Sequence, residues 1–357
     1  MLTGVSFSDV GIATLAALKQ AGSWGSTGSA LGSDHGHLGL GWPSQTRTGG
    51  CAMKTDLVIE TVGLTKRYGR DLLAVDHLNL RVRRGEVYGF VGPNGAGKTT
   101  TLRMLVGLVR PTSGTASVLG HSPGAPAALA RVGATIEAAD FYPFLSGRDN
   151  LLVMARHTGV AAERIQDLLG QVGLAPRADD DVSTYSTGMK QRLGLAAALF
   201  KQPEVLLLDE PTNGLDPEGI AELRGLVREL GHGNHAVLLS SHLMTEVEQI
   251  CDRIGVIRRG ELVAEGTLEE LRGRAELRVR ATPMDRAREL VGTLPGVDGV
   301  RAIDGVLMLA TDPRRAGEIN RRLVGEGLEV SELTPVHTSL EEVFFRLVRE
   351  QGEDPHG

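Results

Sequence analysis

From residue 57 onward the chain alternates strand and helix signals. Leu57–Val62 opens the series as a strand. Leu78-Asn79-Leu80-Arg81-Val82 alternates apolar and polar residues, as a half-buried strand does, and Arg83-Arg84-Gly85-Glu86 then turns the chain. Val87-Tyr88-Gly89-Phe90-Val91 is a short apolar run, and a helix-compatible run, Thr99 to Val109, follows it until Arg110-Pro111-Thr112-Ser113-Gly114 closes it. Residues from about 145 to 200 read as mainly helical. Val205–Leu208 and Ala236–Leu239 are apolar throughout, which suits strands of a parallel sheet covered on both faces. Together these elements predict an α/β core with a helical insertion.

A second unit starts near Leu277. Its pattern is strand (Leu277–Ala281), helix (Asp285–Leu294), strand (Val300–Ile303), strand (Val306–Ala310), helix (Arg314–Val324) and strand (Leu328–Leu333). That β-α-β-β-α-β order predicts a small α+β, ferredoxin-like sandwich over residues 275–350. It carries no motif with assignable chemistry, so a structural or dimerisation appendage is the expectation. Residues 1–55 differ from both units. They are rich in Gly and Ser, as in Gly22-Ser23-Trp24-Gly25-Ser26-Thr27-Gly28-Ser29, and have weak periodicity, which predicts disorder. Met53, just before the first strand, offers an alternative start of translation; a regulatory tail is the other reading.

The chain has 357 residues, a length suited to two domains, and 41% hydrophobic residues, enough for an ordinary buried core. A net charge of -6 with no strongly basic segment argues against nucleic acid as a partner. The two cysteines, Cys51 and Cys251, are far apart, which argues against a disulfide framework and fits a reducing compartment. No run approaches the ~20 apolar residues of a membrane span. Val10–Leu18 is mostly apolar, yet no basic residue precedes it and Asp9 sits at its edge, so no export signal is read. Action at a membrane would need another subunit to bring the chain there.

Gly92-Pro93-Asn94-Gly95-Ala96-Gly97-Lys98-Thr99 fits G-x-x-x-x-G-K-[ST], the Walker A phosphate-binding loop, in the strand–loop–helix context it requires. Glycines let backbone N–H groups converge on phosphate oxygens, and the helix N-terminus adds a favourable dipole. Lys98 is placed to reach the β/γ-phosphates and the Thr99 hydroxyl to ligate Mg²⁺. Leu206-Leu207-Leu208-Asp209-Glu210-Pro211 is an apolar strand ending in two acids. Asp209 is placed to hold Mg²⁺ and Glu210 to polarise an attacking water. Tyr185-Ser186-Thr187-Gly188-Met189 opens a helix with a hydroxyl and free N–H groups; alone it reads as an N-cap. Ser240-Ser241-His242 follows the next strand and is a weak signal by itself.

The order of these pieces resembles the nucleotide-binding subunits of ABC transporters, over roughly residues 57 to 272 within a nucleotide-binding domain of 56–274. The resemblance implies a P-loop NTPase fold with a helical subdomain, ATP and Mg²⁺ as cofactors, and ATP hydrolysis coupled to transport. It makes Tyr68 the aromatic that stacks on adenine, and places Gly92, Pro93, Asn94, Gly95, Ala96, Gly97, Lys98, Thr99 and Thr100 on the nucleotide. Ser186 and Gly188 match the ABC signature and would contact the γ-phosphate. Asp209 and Glu210 match Walker B and the catalytic glutamate, Gly214-Leu215-Asp216-Pro217 the D-loop, and His242 the switch histidine. Lys98, Glu210 and His242 are thus the implied catalytic set, and Thr99, Asp209 and Glu137 the implied metal ligands.

Two departures stand out. Thr187 replaces the first glycine of the signature and Met189 its glutamine. Glu137, in Gly133-Ala134-Thr135-Ile136-Glu137, stands where the family usually has Gln; with Phe141-Tyr142-Pro143-Phe144 after it, this resembles bacitracin- and lantibiotic-resistance and multidrug exporter ATPases. Phe141, Tyr142 and Phe144 suit a docking groove, with the core of the helical insertion as the other reading of Phe144. The partners implied are an integral membrane permease and a second ATPase core, head to tail, at the cytoplasmic face of the membrane. The stretch Thr338-Ser339-Leu340-Glu341-Glu342 reads as a capped amphipathic helix start. The alternatives are a soluble ABC ATPase acting on ribosomes or DNA, and the ATPase of an importer. One core without a heptad arm disfavours the first, and Glu137 the second.

Overall fold

The computed structural model describes residues 56–136, 140–233, 235–273, 276–336 and 339–350. The expected disorder of residues 1–55, and Glu137, lie outside them. The chain opens with antiparallel strands β1 (Leu57–Tyr68), β2 (Leu72–Leu78) and β3 (Arg81–Arg83), β1 pairing with both others. The alternating run Leu78–Val82 is therefore not one strand as its pattern predicts. Buried Thr61 diverts it: its hydroxyl donates to the Leu78 carbonyl (2.9 Å) and accepts from the Leu80 N–H (2.8 Å), so two ladder groups are spent on a side chain.

Strand β4 (Val87–Val91), buried at all five residues, leads to helix α1 (Lys98–Leu105) and then β5 (Ser113–Val118), which joins β1 antiparallel. Helix α1 is shorter than the predicted Thr99–Val109. Gly107, at φ 80, ends it, where an added Cβ would lie 2.6 Å from the Gly124 Cα. Then come α2 (Pro126–Leu129) and β6 (Val132–Thr135), followed by α3 (Gly147–Thr158), α4 (Arg164–Gln171) and α5 (Thr187–Ala198), which make up the predicted helical stretch. Strand β7 (Val205–Asp209), α6 (Pro217–His232), β8 (Ala236–Ser241), α7 (Met244–Ile250), β9 (Arg253–Arg258) and β10 (Glu261–Thr267) follow.

One sheet runs in the order β10-β9-β4-β8-β7-β6, with β9, β4, β8, β7 and β6 parallel. Val205–Leu208 and Ala236–Leu239 are at most 2% exposed, as strands covered on both faces must be. Phe90, Leu207 and Leu238 share a core with Leu102 and Leu105 of α1. Each such fully buried side chain contributes roughly 1.5–3 kcal/mol. Parallel pairing sends the ends of β4, β7 and β8 to one edge, where the phosphate loop, Asp209-Glu210 and His242 all emerge.

The chain divides into two compact units at Glu265/Gly266, nine residues before the boundary expected at 274/275. The difference arises because α8 (Leu268–Arg272) packs with α11 (Leu340–Glu350) of the second unit. That unit runs β11 (Glu276–Thr282), α9 (Met284–Gly292), β12 (Gly299–Ile303), β13 (Val306–Ala310), α10 (Ala316–Gly325), β14 (Glu329–Val336) and α11. Its sheet order is β12-β13-β11-β14, every pair antiparallel. Leu277, Val279, Leu307 and Leu309 meet Ala287, Val291, Ile319 and Leu323 in its core. Helix α11 starts with the expected reciprocal cap: the Glu342 N–H donates to Ser339 Oγ (3.2 Å) and the Ser339 N–H to Glu342 Oε2 (3.1 Å).

At the edge of the parallel sheet opposite the motifs, Glu204 accepts from Arg131 Nε (2.5 Å) and Arg84 Nη1 (2.7 Å), tying the segments that enter β6, β7 and β4. The two guanidinium hydrogen bonds pull its carboxyl down to about 2 from 4.5. A depressed carboxylate contributes stability above its unfolded value and loses it as pH falls through its folded one. With Glu204 32% exposed, the contribution is about 1 kcal/mol after solvent screening. Glu204→Gln is expected to be less stable by that amount at pH 7 in urea unfolding. The gap should close as pH falls from 4.5 toward about 2.

Candidate functional site

The phosphate loop is wedged between two carbonyls. An added Cβ on Gly92 would lie 2.1 Å from the Ile257 O, and one on Gly97 would lie 2.3 Å from the Ala74 O. Gly97 also takes φ 105, which L side chains rarely adopt. These positions admit only glycine, so the loop's backbone path is fixed by β9 and β2 together. Gly95, at φ 79, has nothing within 4 Å of an added Cβ and faces open space. Pro93 and Asn94 are exposed beside it, Ala96 is buried, and Thr99 and Thr100 are half-buried in the first turn of α1.

Lys98 is 5% exposed, and its Nζ donates to the carbonyls of Gly92 (2.7 Å) and Pro93 (3.1 Å). The same Nζ lies 3.2 Å from Glu210 Oε1. Glu210 Oε2 is 2.7 Å from His242 Nδ1 and also accepts the His242 backbone N–H (3.3 Å). The structure therefore joins Lys98, Glu210 and His242 into one chain of charge-assisted contacts from three separate elements. Glu210 reaches both neighbours from a left-handed backbone, φ 46, which a non-glycine residue holds only where its surroundings impose it. Its N–H is fixed by Ser240, through the hydroxyl (3.0 Å) and the carbonyl (3.2 Å). Ser240 Oγ in turn donates to Asp209 Oδ1 (2.5 Å).

Asp209 and Thr99 offer hard oxygen donors, the set that suits Mg²⁺ shared with phosphate oxygens. An all-protein cage is not required there, and among the described residues no cluster of three acid, His or Cys side chains is present. The glycine-walled loop at the start of α1, with Lys98 beside it, fits a polyphosphate.

Tyr68 ends β1, 38% exposed, with Lys66 Nζ 4.9 Å from its ring centroid, on the hairpin whose Ala74 abuts the loop. Ser186 caps α5, accepting the Met189 N–H (3.3 Å), and among the described residues it makes no hydrogen bond to the phosphate loop. Gly188 faces Leu215, where an added Cβ would lie 3.2 Å from Cδ2, and Gln191 Nε2 donates to the Asn213 O (2.7 Å). The signature helix and the Gly214–Pro217 turn are thus joined within one chain. Sequence reading missed this link and the placement of Ser240. The available signal for the second was a hydroxyl ending an apolar strand, in register with the acid on the next.

Phe144 is 70% and Tyr142 50% exposed, their centroids 5.8 Å apart, which sets aside the core reading of Phe144. Buried Asn150 presents them by bonding Tyr142 N–H and carbonyl (2.8 and 3.0 Å).

A parallel sheet with a Walker loop and strand-end acids defines a P-loop nucleotide-binding domain, and similarity to known proteins places it further. The ABC transporter family matches residues 75–213. The bacitracin transport ATP-binding protein BcrA of Bacillus licheniformis is 39% identical over 298 residues, covering 82% of this chain and 97% of that protein. The daunorubicin/doxorubicin resistance ATP-binding protein DrrA of Streptomyces peucetius is 39% identical over 310 residues, 83% of this chain and 94% of that one. An ATP-binding cassette solved as a dimer in a post-hydrolysis state with ADP and Pi shares the fold (TM-score 0.54, 23% identity, 59% of this chain, 99% of that one). The chain belongs to the family of ABC transporter ATP-binding proteins.

Lys98→Ala is expected to weaken ATP binding by about tenfold or more, since it removes the buried cation beside the loop. Equilibrium titration with a fluorescent ATP analogue reads this, and unaltered affinity would contradict the phosphate-loop reading.

Proposed function

We propose that this chain is the ATP-hydrolysing subunit of an exporter, driving efflux of a drug or antimicrobial peptide through a separate membrane subunit. The observation that carries it is the Lys98–Glu210–His242 chain at the mouth of a glycine-walled phosphate loop, in a protein that spans nearly the whole length of a bacitracin transport and a daunorubicin resistance ATP-binding protein. Neither the importer reading nor the ribosome- or DNA-acting one draws support from these relatives.

In this reading ATP lies along Gly92–Thr100 with Tyr68 against adenine. Lys98 offsets charge on the phosphates, and Thr99 and Asp209 hold Mg²⁺, which neutralises developing charge when bound. Glu137 is the third metal ligand proposed. Glu210 orients the attacking water and His242 steadies the γ-phosphate across from it. Catalysis of phosphoryl transfer is mostly positioning and charge stabilisation, which such a cluster supplies. Nucleotide binding releases Lys98 from the Gly92 and Pro93 carbonyls and from Glu210, freeing that carboxylate for water.

Ser186 and Gly188 act on the ATP of a second copy, head to tail; among the described residues Ser186 bonds the Met189 N–H and makes no hydrogen bond to the loop of its own chain, which agrees with this. The β-α-β-β-α-β unit is a ferredoxin-like accessory domain, a reading its sheet order supports. Among the described residues no helix is long and apolar enough to cross a membrane. In this reading the permease supplies the cargo path and holds this subunit at the cytoplasmic face. The exposed Tyr142–Phe144 pair is the docking element.

A C-terminal tag should recover a multi-span membrane protein from native membranes, identified by mass spectrometry. Tyr142→Asp and Phe144→Asp should each release it while leaving ATP affinity unaltered. Recovery of ribosomal or DNA-repair proteins instead would contradict the exporter reading.

A further inference from the structure

Strand β8 ends in two serines that are both buried, 0% exposed at Ser240 and 1% at Ser241, but they do different things. Ser241 Oγ accepts the Leu243 N–H (3.0 Å) and caps the local turn. Ser240 lies in register with Asp209 on β7, and its Oγ is bonded to both acids. An ionised carboxylate can only accept, so the single hydroxyl proton goes to Asp209 Oδ1, and an oxygen lone pair receives the Glu210 N–H. One oxygen atom thereby fixes the rotation of the Asp209 carboxylate and anchors the left-handed turn from which Glu210 reaches Lys98 and His242.

We propose that Ser240 is a positioning residue for ATP hydrolysis: its hydroxyl holds Asp209 in the orientation that takes Mg²⁺ and holds Glu210 in the one that aims its carboxylate. The inference rests on the hydrolytic reading of this site, with Asp209 as the metal ligand and Glu210 as the group acting on water. The hydroxyl acts through the two acids and touches neither nucleotide nor water itself. Removing it leaves the Glu210 N–H with the Ser240 carbonyl as acceptor, so Ser240→Ala costs the fold little while freeing Asp209 to rotate.

The test measures affinity for a fluorescent ATP analogue across a Mg²⁺ titration and in EDTA, alongside steady-state hydrolysis, on the full chain. Ser240→Ala is expected to raise the Mg²⁺ concentration for half-maximal effect by about tenfold and to lower kcat by a similar factor, as loss of a ligand's hydrogen-bond partner does. Affinity in EDTA and Tm should stay at parent values. Ser240→Thr, which keeps a hydroxyl, should recover most of both losses, and Ser241→Ala should leave the Mg²⁺ dependence unmoved. The proposal is overturned if Ser240→Ala leaves the Mg²⁺ midpoint at the parent value. It is equally overturned if Ala and Thr variants lose Mg²⁺ linkage alike, because packing and not the hydrogen bond would then be responsible. A parent protein that binds Mg²⁺ and ATP without hydrolysing it would sink the hydrolytic reading alone, and the binding titration would still decide the hold on Asp209.

Discussion

The contact on which the site depends is the double engagement of the Glu210 carboxylate, by Lys98 on one oxygen and His242 on the other. It connects the first turn of α1, the end of β7 and the turn after β8, which have no sequence proximity. Each partner arrives there for a separate reason. Lys98 is delivered by a loop that Ala74 and Ile257 confine to glycine, Glu210 by a backbone conformation that Ser240 anchors, and His242 by a strand buried on both faces. Buried Lys98 is costly if left unpaired, so its contact with the Glu210 carboxylate counts most. The arrangement is therefore a sensitive reporter of what sits on the loop. A polyphosphate that engages Lys98 must also change what Glu210 and His242 touch.

Much of this was legible in the sequence because its signals are local. Gly92–Thr99 declares its own backbone geometry and chemistry, and an apolar strand ending in Asp209-Glu210 needs no distant residue to be understood. The parallel sheet followed from runs such as Val205–Leu208 that leave no polar face. What escaped depends on neighbours distant in sequence. Thr61 splits Leu78–Val82 by drawing off its ladder groups. The end of α1 is set by the approach of Gly124 to Gly107. Ser240 acquires its meaning only from the register that brings it opposite Asp209. Phe144 is ambiguous in the sequence for a related reason: an aromatic residue reads alike as core or as interface until its exposure is known.

The second unit completes its own core from Leu277, Val279, Leu307 and Leu309 against two helices, and closes with a capped helix that packs on α8. In the proposed function the loop, the acids and the histidine carry the energy conversion.

In the proposed function Glu210 links nucleotide binding to hydrolysis, and hydrolysis to release of the head-to-tail pair of copies. The most direct measurement is the ATP-dependent mass of purified Glu210→Gln by size-exclusion chromatography with light scattering, alongside its turnover. Hydrolysis slowed by about 100-fold or more is expected, with a dimer that persists in ATP and dissociates when ATP is removed. Parent-like turnover, or a variant that stays monomeric in saturating ATP, would contradict it.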